Sequence, residues 1–295
     1  MLQPPGFAQH SLTTSLGTLV YYAAEHPISG NPAAANRPLL VFLHGFGGGS
    51  SAYEWSQVYP AFVPEYQVIA PDLLGWGRSE HLNRFYEIAD YLTSLTEFLE
   101  QIGGSGATVI ASSLTAALIV CIAVARPELF KALILVAPSG LADFGQPYNS
   151  WLSQVVSFPV IDRIIYSTAI ATSAGIRSFL EQRQFARANR VSQEMVDAYL
   201  ASAQQPNAEY SALSFVRGNL CFDLAEHIPQ LRTPTAILWG KEAQFTRAEL
   251  GQRFLDLNPQ AIQRLHLLED VGLTPQLELP AVTIGVLRQI LRELR

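Results

Sequence analysis

Short runs of uninterrupted apolar residues alternate along this chain with longer stretches in which apolar residues recur every three or four positions. Residues 39–43 (L-L-V-F-L) are apolar at every position, as a strand covered on both faces must be. Residues 67–70, 108–110, 132–136, 235–239 and 262–268 are further short β-prone runs. Between them lie helical spacings at 87–102, 114–125, 247–258 and 277–294. The first of these stops at Gly103-Gly104 and the second at Arg126-Pro127, both sound helix terminators. Residues 11–24 alternate about Gly17 and predict a two-stranded hairpin, and 27–38, rich in Pro, Ala, Asn and Gly, predict a loop. Strands alternating with helices at this rhythm predict right-handed βαβ units and a mostly parallel sheet.

The rhythm stops between Leu141 and about Leu220. Helical patterns at 150–157, 160–169, 174–183, 192–202 and 210–220 follow one another there with no convincing strand. A core of 1–141 and 221–295 interrupted by a helical insertion, 142–220, is the predicted organisation. The insertion's first half is rich in aromatics: Phe144, Tyr148, Trp151, Phe158, Tyr166, Phe179 and Phe185. Most are expected in the core, the rest along a pocket. A hydrophobic content of 49% with 15% charged residues suits so large a covered core. A net charge of −6 without a Lys/Arg cluster argues against nucleic acid as a partner. Cys121 and Cys221 sit in apolar surroundings and read as small core residues rather than a disulfide or metal site. The start of the chain has neither a basic segment nor an apolar one, and no run approaches the ~18 apolar residues of a membrane span. A cytoplasmic protein without a transmembrane segment is the expectation.

The chemistry concentrates in T-V-I-A-S-S-L-T-A-A, residues 108–117. A strand that turns into a helix within one residue needs small neighbours two positions either side of the corner, where backbone segments approach closely. With Ser113 at the corner, Ala111 meets that need and Thr115 meets it poorly. The pattern is G-x-S-x-G with Ala and Thr for the two glycines. It would place the Ser113 hydroxyl at a helix N-terminus, whose dipole favours developing negative charge. A plain strand-to-helix turn with capping serines gives the same letters.

Other motifs occur in order around it. His44-Gly45-Phe46-Gly47-Gly48 follows the 39–43 strand, and Pro71-Asp72 to Gly75-Trp76-Gly77-Arg78-Ser79 follows the next. Ala137-Pro138-Ser139-Gly140 ends the strand at 132–136, and Pro234-Thr235 to Leu238-Trp239-Gly240 forms another. In order and spacing these resemble the α/β-hydrolase superfamily across essentially the whole chain, most nearly its lid-bearing esterase and C–C hydrolase branch. The resemblance implies an eight-stranded α/β-hydrolase fold with the insertion as a lid after the sixth strand. It implies Ser113 as nucleophile and the N–H groups of Phe46 and Leu114 as oxyanion donors. His44 in such loops usually shapes the turn.

Two family positions depart from the pattern. The acid expected three residues after Trp239-Gly240 falls on Ala243, with Glu242 one residue away. The histidine expected in a G-H-x-x-x-x-E-x-P frame falls on Leu273, within Gly272 to Glu278-Leu279-Pro280. Removing the histidine of a subtilisin-type triad costs about six orders of magnitude in kcat. Ordinary triad hydrolysis is therefore disfavoured unless another base reaches Ser113. His44 and His81 follow strands at the end of the sheet where the site belongs, while Asp143 and Glu242 are the candidate carboxylates. His10 and His26 belong to the N-terminal hairpin, His227 precedes the seventh strand, and His266 lies within the last strand, packed against a helix.

Two functions follow: a serine hydrolase of an ester or related small apolar substrate with a rearranged base, or a non-catalytic member of the fold that binds an apolar ligand or a protein. The serine as a mere relic is a third. Ala243 and Leu273 make the site more apolar, which suits a small hydrophobic molecule under the lid. Nothing in the sequence suggests a metal or an organic cofactor.

Overall fold

The structure, a computed structural model, describes residues 3–25, 37–103, 106–141, 163 and 165–294. Eight strands form one sheet: β1 (Phe7–Thr14), β2 (Gly17–Ala24), β3 (Leu39–Leu43), β4 (Gln67–Pro71), β5 (Ala107–Ser112), β6 (Phe130–Val136), β7 (Thr235–Gly240) and β8 (Ile262–Leu268). Their order across the sheet is β1-β2-β4-β3-β5-β6-β7-β8. β1 and β2 pair antiparallel as a hairpin, β2 runs antiparallel to β4, and all other pairings are parallel. The sheet is therefore the mostly parallel eight-stranded one predicted, with the hairpin opening at Phe7 rather than residue 11.

Why these runs are strands is visible in their two faces. Successive side chains of a strand point to opposite sides. Val41, Leu43, Val109, Ala111, Leu133, Leu135, Ile237 and Trp239 enter one core. Leu40, Phe42, Ile110, Ile134, Val136, Ala236 and Leu238 enter the other. Both faces are covered, so continuous apolar runs are the only sequences that fit there. Helix α1 (Ile88–Gly103) and helix α2 (Ser113–Ala125) lie on the first face. Leu114 to Ala123 of α2 are all buried, which is why that helix is apolar around its whole circumference.

Between β6 and β7 the described residues form helices joined by turns, with no strand among them. A π-helical turn (Tyr166–Ile170) precedes α3 (Ser173–Phe179), which runs on into a second π-helical turn (Leu180–Gln184); α4 (Gln193–Ala203) and α5 (Ala208–Val216) follow. The helical pattern expected at 150–157 and the start of that at 160–169 lie outside the described residues, as do Phe144, Tyr148, Trp151 and Phe158. Helix α6 (Leu250–Leu257) joins β7 to β8. The single closing helix expected over 277–294 is instead two, α7 (Pro275–Glu278) and α8 (Pro280–Glu293). Pro280 has no N–H to donate and pushes Leu279 out of helical geometry, to φ −137° and ψ 67°. Cys121 is buried and Cys221 half-buried. No helix among the described residues is long and apolar enough to cross a membrane.

Candidate active site

The loops after β3, β5, β6, β7 and β8 all leave carboxyl ends of parallel strands, so they gather at one end of the sheet. That is where open α/β sheets place ligands. Ser113 stands at the centre of this end. Its φ is +53°, in the left-handed region that a non-glycine residue enters at a cost of about 1 kcal/mol or more. The strand-to-helix corner is thus a strained elbow, and α2 begins at the serine itself. Thr115, which looked too large for its position, is fully buried, and its hydroxyl donates to the His44 carbonyl at 2.6 Å. It ties the elbow to the end of β3.

The loop after β3 is held just as firmly. The Gly45 N–H donates to Glu54 at 3.0 Å, and the Gly47 N–H to the Ser50 hydroxyl at 2.8 Å. The Ser50 hydroxyl itself donates to Glu54 at 2.5 Å. The N–H groups of Phe46 and Leu114 find no acceptor among the described residues. That of Leu114 lies in the first turn of α2, where helical N–H groups have no partner of their own. These are the two donors that the resemblance implied.

The Ser113 hydroxyl meets another hydroxyl, Ser139 Oγ, at 3.2 Å. Ser139 N–H also donates to the Ser113 carbonyl at 3.3 Å, so the loop after β6 grips the nucleophile position twice. Among the described residues no imidazole and no carboxylate hydrogen-bonds to the Ser113 hydroxyl. Leu273 is buried and lines the cavity in front of Ser113. Ala243 is buried, its N–H donates to the Gly240 carbonyl at 3.2 Å, and it does not line the cavity.

The proposed substitutes for the base lie elsewhere. His44 is fully buried; its Nε2 accepts from Leu73 N–H at 3.0 Å, which assigns the proton to Nδ1, 2.7 Å from the Gly45 carbonyl. Burial lowers its pKa to about 4, so it is a neutral structural group with both nitrogens engaged. His81 is half-buried, held below the ordinary histidine range by burial, and its Nε2 faces the Gly77 carbonyl at 3.3 Å; it does not line the cavity. Glu242 is exposed and also outside the cavity lining. Asp143 lies outside the described residues. His266 lies 3.5 Å from Glu293 on α8.

The frame around Leu273 is intact without a histidine in it. Glu278, its side chain wholly buried, accepts from the N–H groups of Gly272 (2.7 Å), Ala186 (2.9 Å) and Arg187 (3.0 Å) and pairs with Arg190 at 2.9 Å. Arg187 and Arg190 both reach Asp270 at 2.5 Å and hold its carboxyl below the usual range. Leu273 N–H donates to the Gln184 carbonyl at 2.6 Å. A Cβ on Gly272 would stand 2.2 Å from that same carbonyl, so only glycine lets the two segments meet.

The cavity so enclosed has a volume of about 350 Å³. Phe46, Ile170, Ile176, Phe179, Val216, Phe245 and Leu273 give it apolar walls. Ser112, Ser113, Ser139, Gln184, Thr246 and Thr274 supply neutral polar groups, and the buried hydroxyls of Thr246 and Thr274 have no protein partner among the described residues. Glu54 is the one ionisable side chain among the described lining residues. It is 1% exposed, and burial pushes its pKa up against the opposing pull of Ser50, Gly45, Tyr199 and Gln276. Sequence reasoning missed it. The available signal was an acid set between Ala52-Tyr53 and Trp55, in an otherwise apolar run just past the glycine-rich loop.

Comparison with known proteins agrees with this architecture. Residues 40–286 match the model of the alpha/beta hydrolase family. Epoxide hydrolase 4 of Mus musculus is 24% identical over 272 residues, spanning 87% of this chain and 74% of its own length. Lipase 1 of Psychrobacter immobilis is 26% identical over 282 residues, 91% of this chain and 79% of its own. The solved structure of 2-hydroxy-6-oxo-6-phenylhexa-2,4-dienoate hydrolase from Rhodococcus sp. strain RHA1 shares the fold with a TM-score of 0.76 at 17% identity, covering 97% of this chain and 99% of that one.

Proposed function

The chain belongs to the alpha/beta hydrolase family, and on that premise we propose that its cavity binds a small apolar carbonyl compound at Ser113 with triad hydrolysis impaired. In this reading residues 142–220 are a lid inserted in a core of 1–141 and 221–295. The N–H groups of Phe46 and Leu114 hold the carbonyl oxygen. Ala243 and Leu273 stand where the acid and the histidine of a triad would be. The observation that carries the reading is the partner of Ser113: a second hydroxyl, Ser139 Oγ, at 3.2 Å. A hydroxyl takes up no proton near neutral pH, so it orients Ser113 without activating it. What remains is the positioning and electrostatic part of catalysis, about 10³–10⁴ over water where a serine enzyme loses its triad.

A second reading keeps the protein catalytic, as a serine hydrolase of an ester with a base supplied from elsewhere. The strained φ of Ser113 supports it, because a serine that only caps a helix has no need of the left-handed region. The two readings separate on one measurement: stoichiometric labelling by a fluorophosphonate, read by intact mass with Ser113→Ala alongside. Labelling no faster than that of the variant is the expected outcome. Rapid labelling confined to Ser113 would sink the impairment and turn attention to Asp143, outside the described residues, and to Glu54, the one ionisable side chain among the described lining residues, as the missing base.

A further inference from the structure

Two buried glutamates serve this end of the sheet, and only one of them is neutralised. Glu278 pairs with Arg190. Glu54 is held by neutral donors alone: the Gly45 N–H, the hydroxyls of Ser50 and Tyr199, and the amide of Gln276. Among the described residues no cation is one of the groups that shift it. Its distance from the nucleophile is small. A methyl built on Gly45 would stand 3.5 Å from Ser113 Cβ and 3.8 Å from Glu54 Oε2, so the serine and the carboxyl both border the same spot beside Gly45.

We infer that the cavity discriminates among ligands by charge, with Glu54 as the residue that sets the sign: it admits apolar molecules with a neutral carbonyl head and refuses those whose head is a carboxylate. This rests on the reading of the cavity as a binding site for an apolar carbonyl compound. The N–H groups of Phe46 and Leu114 can hold one oxygen carrying partial charge. A carboxylate would bring a second oxygen and a whole charge into a space whose described lining holds no Lys, Arg or His. There it would lose its water without a counter-charge and face a carboxyl already disfavoured in its charged form. Either the ligand or Glu54 must then take up a proton, and at alkaline pH that is costly.

The test uses matched amide and carboxylate pairs on phenylbutyl, cyclohexylbutyl and octyl frames, with dissociation constants measured by calorimetry at pH 8.5. The two heads are nearly the same shape and differ in charge. Binding of amides with carboxylates at least tenfold weaker (about 1.4 kcal/mol) is the expected result. In Glu54→Gln the gap narrows, because the neutral amide keeps the shape and removes the like charge, while the lining still offers no counter-charge. Should that variant not fold, Leu273→Lys places a cation on the cavity wall and is expected to raise carboxylate affinity at least tenfold. Equal or tighter binding of carboxylates by the unaltered protein overturns the inference and leaves the binding reading standing. Binding of neither head on any frame overturns both.

Discussion

The two halves of the site are built with equal care and to different ends. The nucleophile half, formed by the loops after β3, β5 and β6, is held without an ion pair among the described residues: Thr115 to His44, Ser139 to Ser113, Gly47 to Ser50, and Gly45 and Ser50 to Glu54. It keeps a strained serine and, among the described residues, leaves the N–H groups of Phe46 and Leu114 without an acceptor. The other half, formed by the loops after β7 and β8, is held by charge: Glu278 and Asp270 against Arg187 and Arg190. It fixes a backbone as exactingly, and presents a leucine. Position 273 therefore lies in a fixed segment and not in a loose one. Its frame is tight and its side chain is apolar, so the residue held there has no group that could take up a proton.

The sharpest way to break the contrast is to supply what the second half lacks. Leu273→His with Ala243→Asp places an imidazole in the frame and a carboxylate behind it. A positioned general base contributes roughly 10²–10⁴-fold. Fluorophosphonate labelling of Ser113 is expected to rise by that order in the double variant and much less in either single one. A folded double variant that labels no faster than the parent would mean that the two halves are not aligned, and that the site was never one substitution pair from a triad.

The next largest effect falls on the charged half itself. Glu278→Ala leaves three backbone N–H groups without an acceptor and Arg190 without its buried partner. Such losses cost about 3–5 kcal/mol. Denaturant unfolding is the measurement, with an unchanged slope as the sign that the denatured state is the same. A loss under 1 kcal/mol would mean that the frame around Leu273 is held by packing rather than by Glu278.

Much of this was legible in the chain, and the parts that were not have physical reasons. The strands 39–43 and 262–268 were readable to the residue, because only apolar or alternating runs fit a covered or an edge strand. The order of the motifs revealed the fold and the elbow. Thr115 could not be understood from sequence, since its hydroxyl finds the His44 carbonyl 71 residues away. Glu54 and Gln184 were invisible for a related reason. A lone acid or amide acquires its meaning from what folds around it, and Tyr199, which donates to both, arrives from α4. Pro280 was readable and outweighed by the periodicity around it: apolar spacing ran through the break at Leu279, and the missing N–H decided the geometry.

The smallest of these effects concerns the neutral half and acid. His44 is buried with both nitrogens bound to backbone, and its pKa falls from 6.5 to about 4 on folding. Below pH 6.5 the unfolded chain takes up a proton that the folded chain does not, so stability falls as pH falls from 6.5 toward 4. At 1.36 kcal/mol per pH unit the loss reaches about 2 kcal/mol at pH 5. Glu54 acts in the opposite sense: its raised pKa favours the folded state as pH falls through it, so the two must be separated. Unfolding free energies of the parent and of His44→Asn between pH 8 and 5 do this, because Glu54 is common to both. The parent is expected to lose stability faster, by about 2 kcal/mol over that range. Parallel curves would mean that His44 titrates in the folded protein, which would free an imidazole beside the glycine-rich loop and reopen the neutral half to base chemistry.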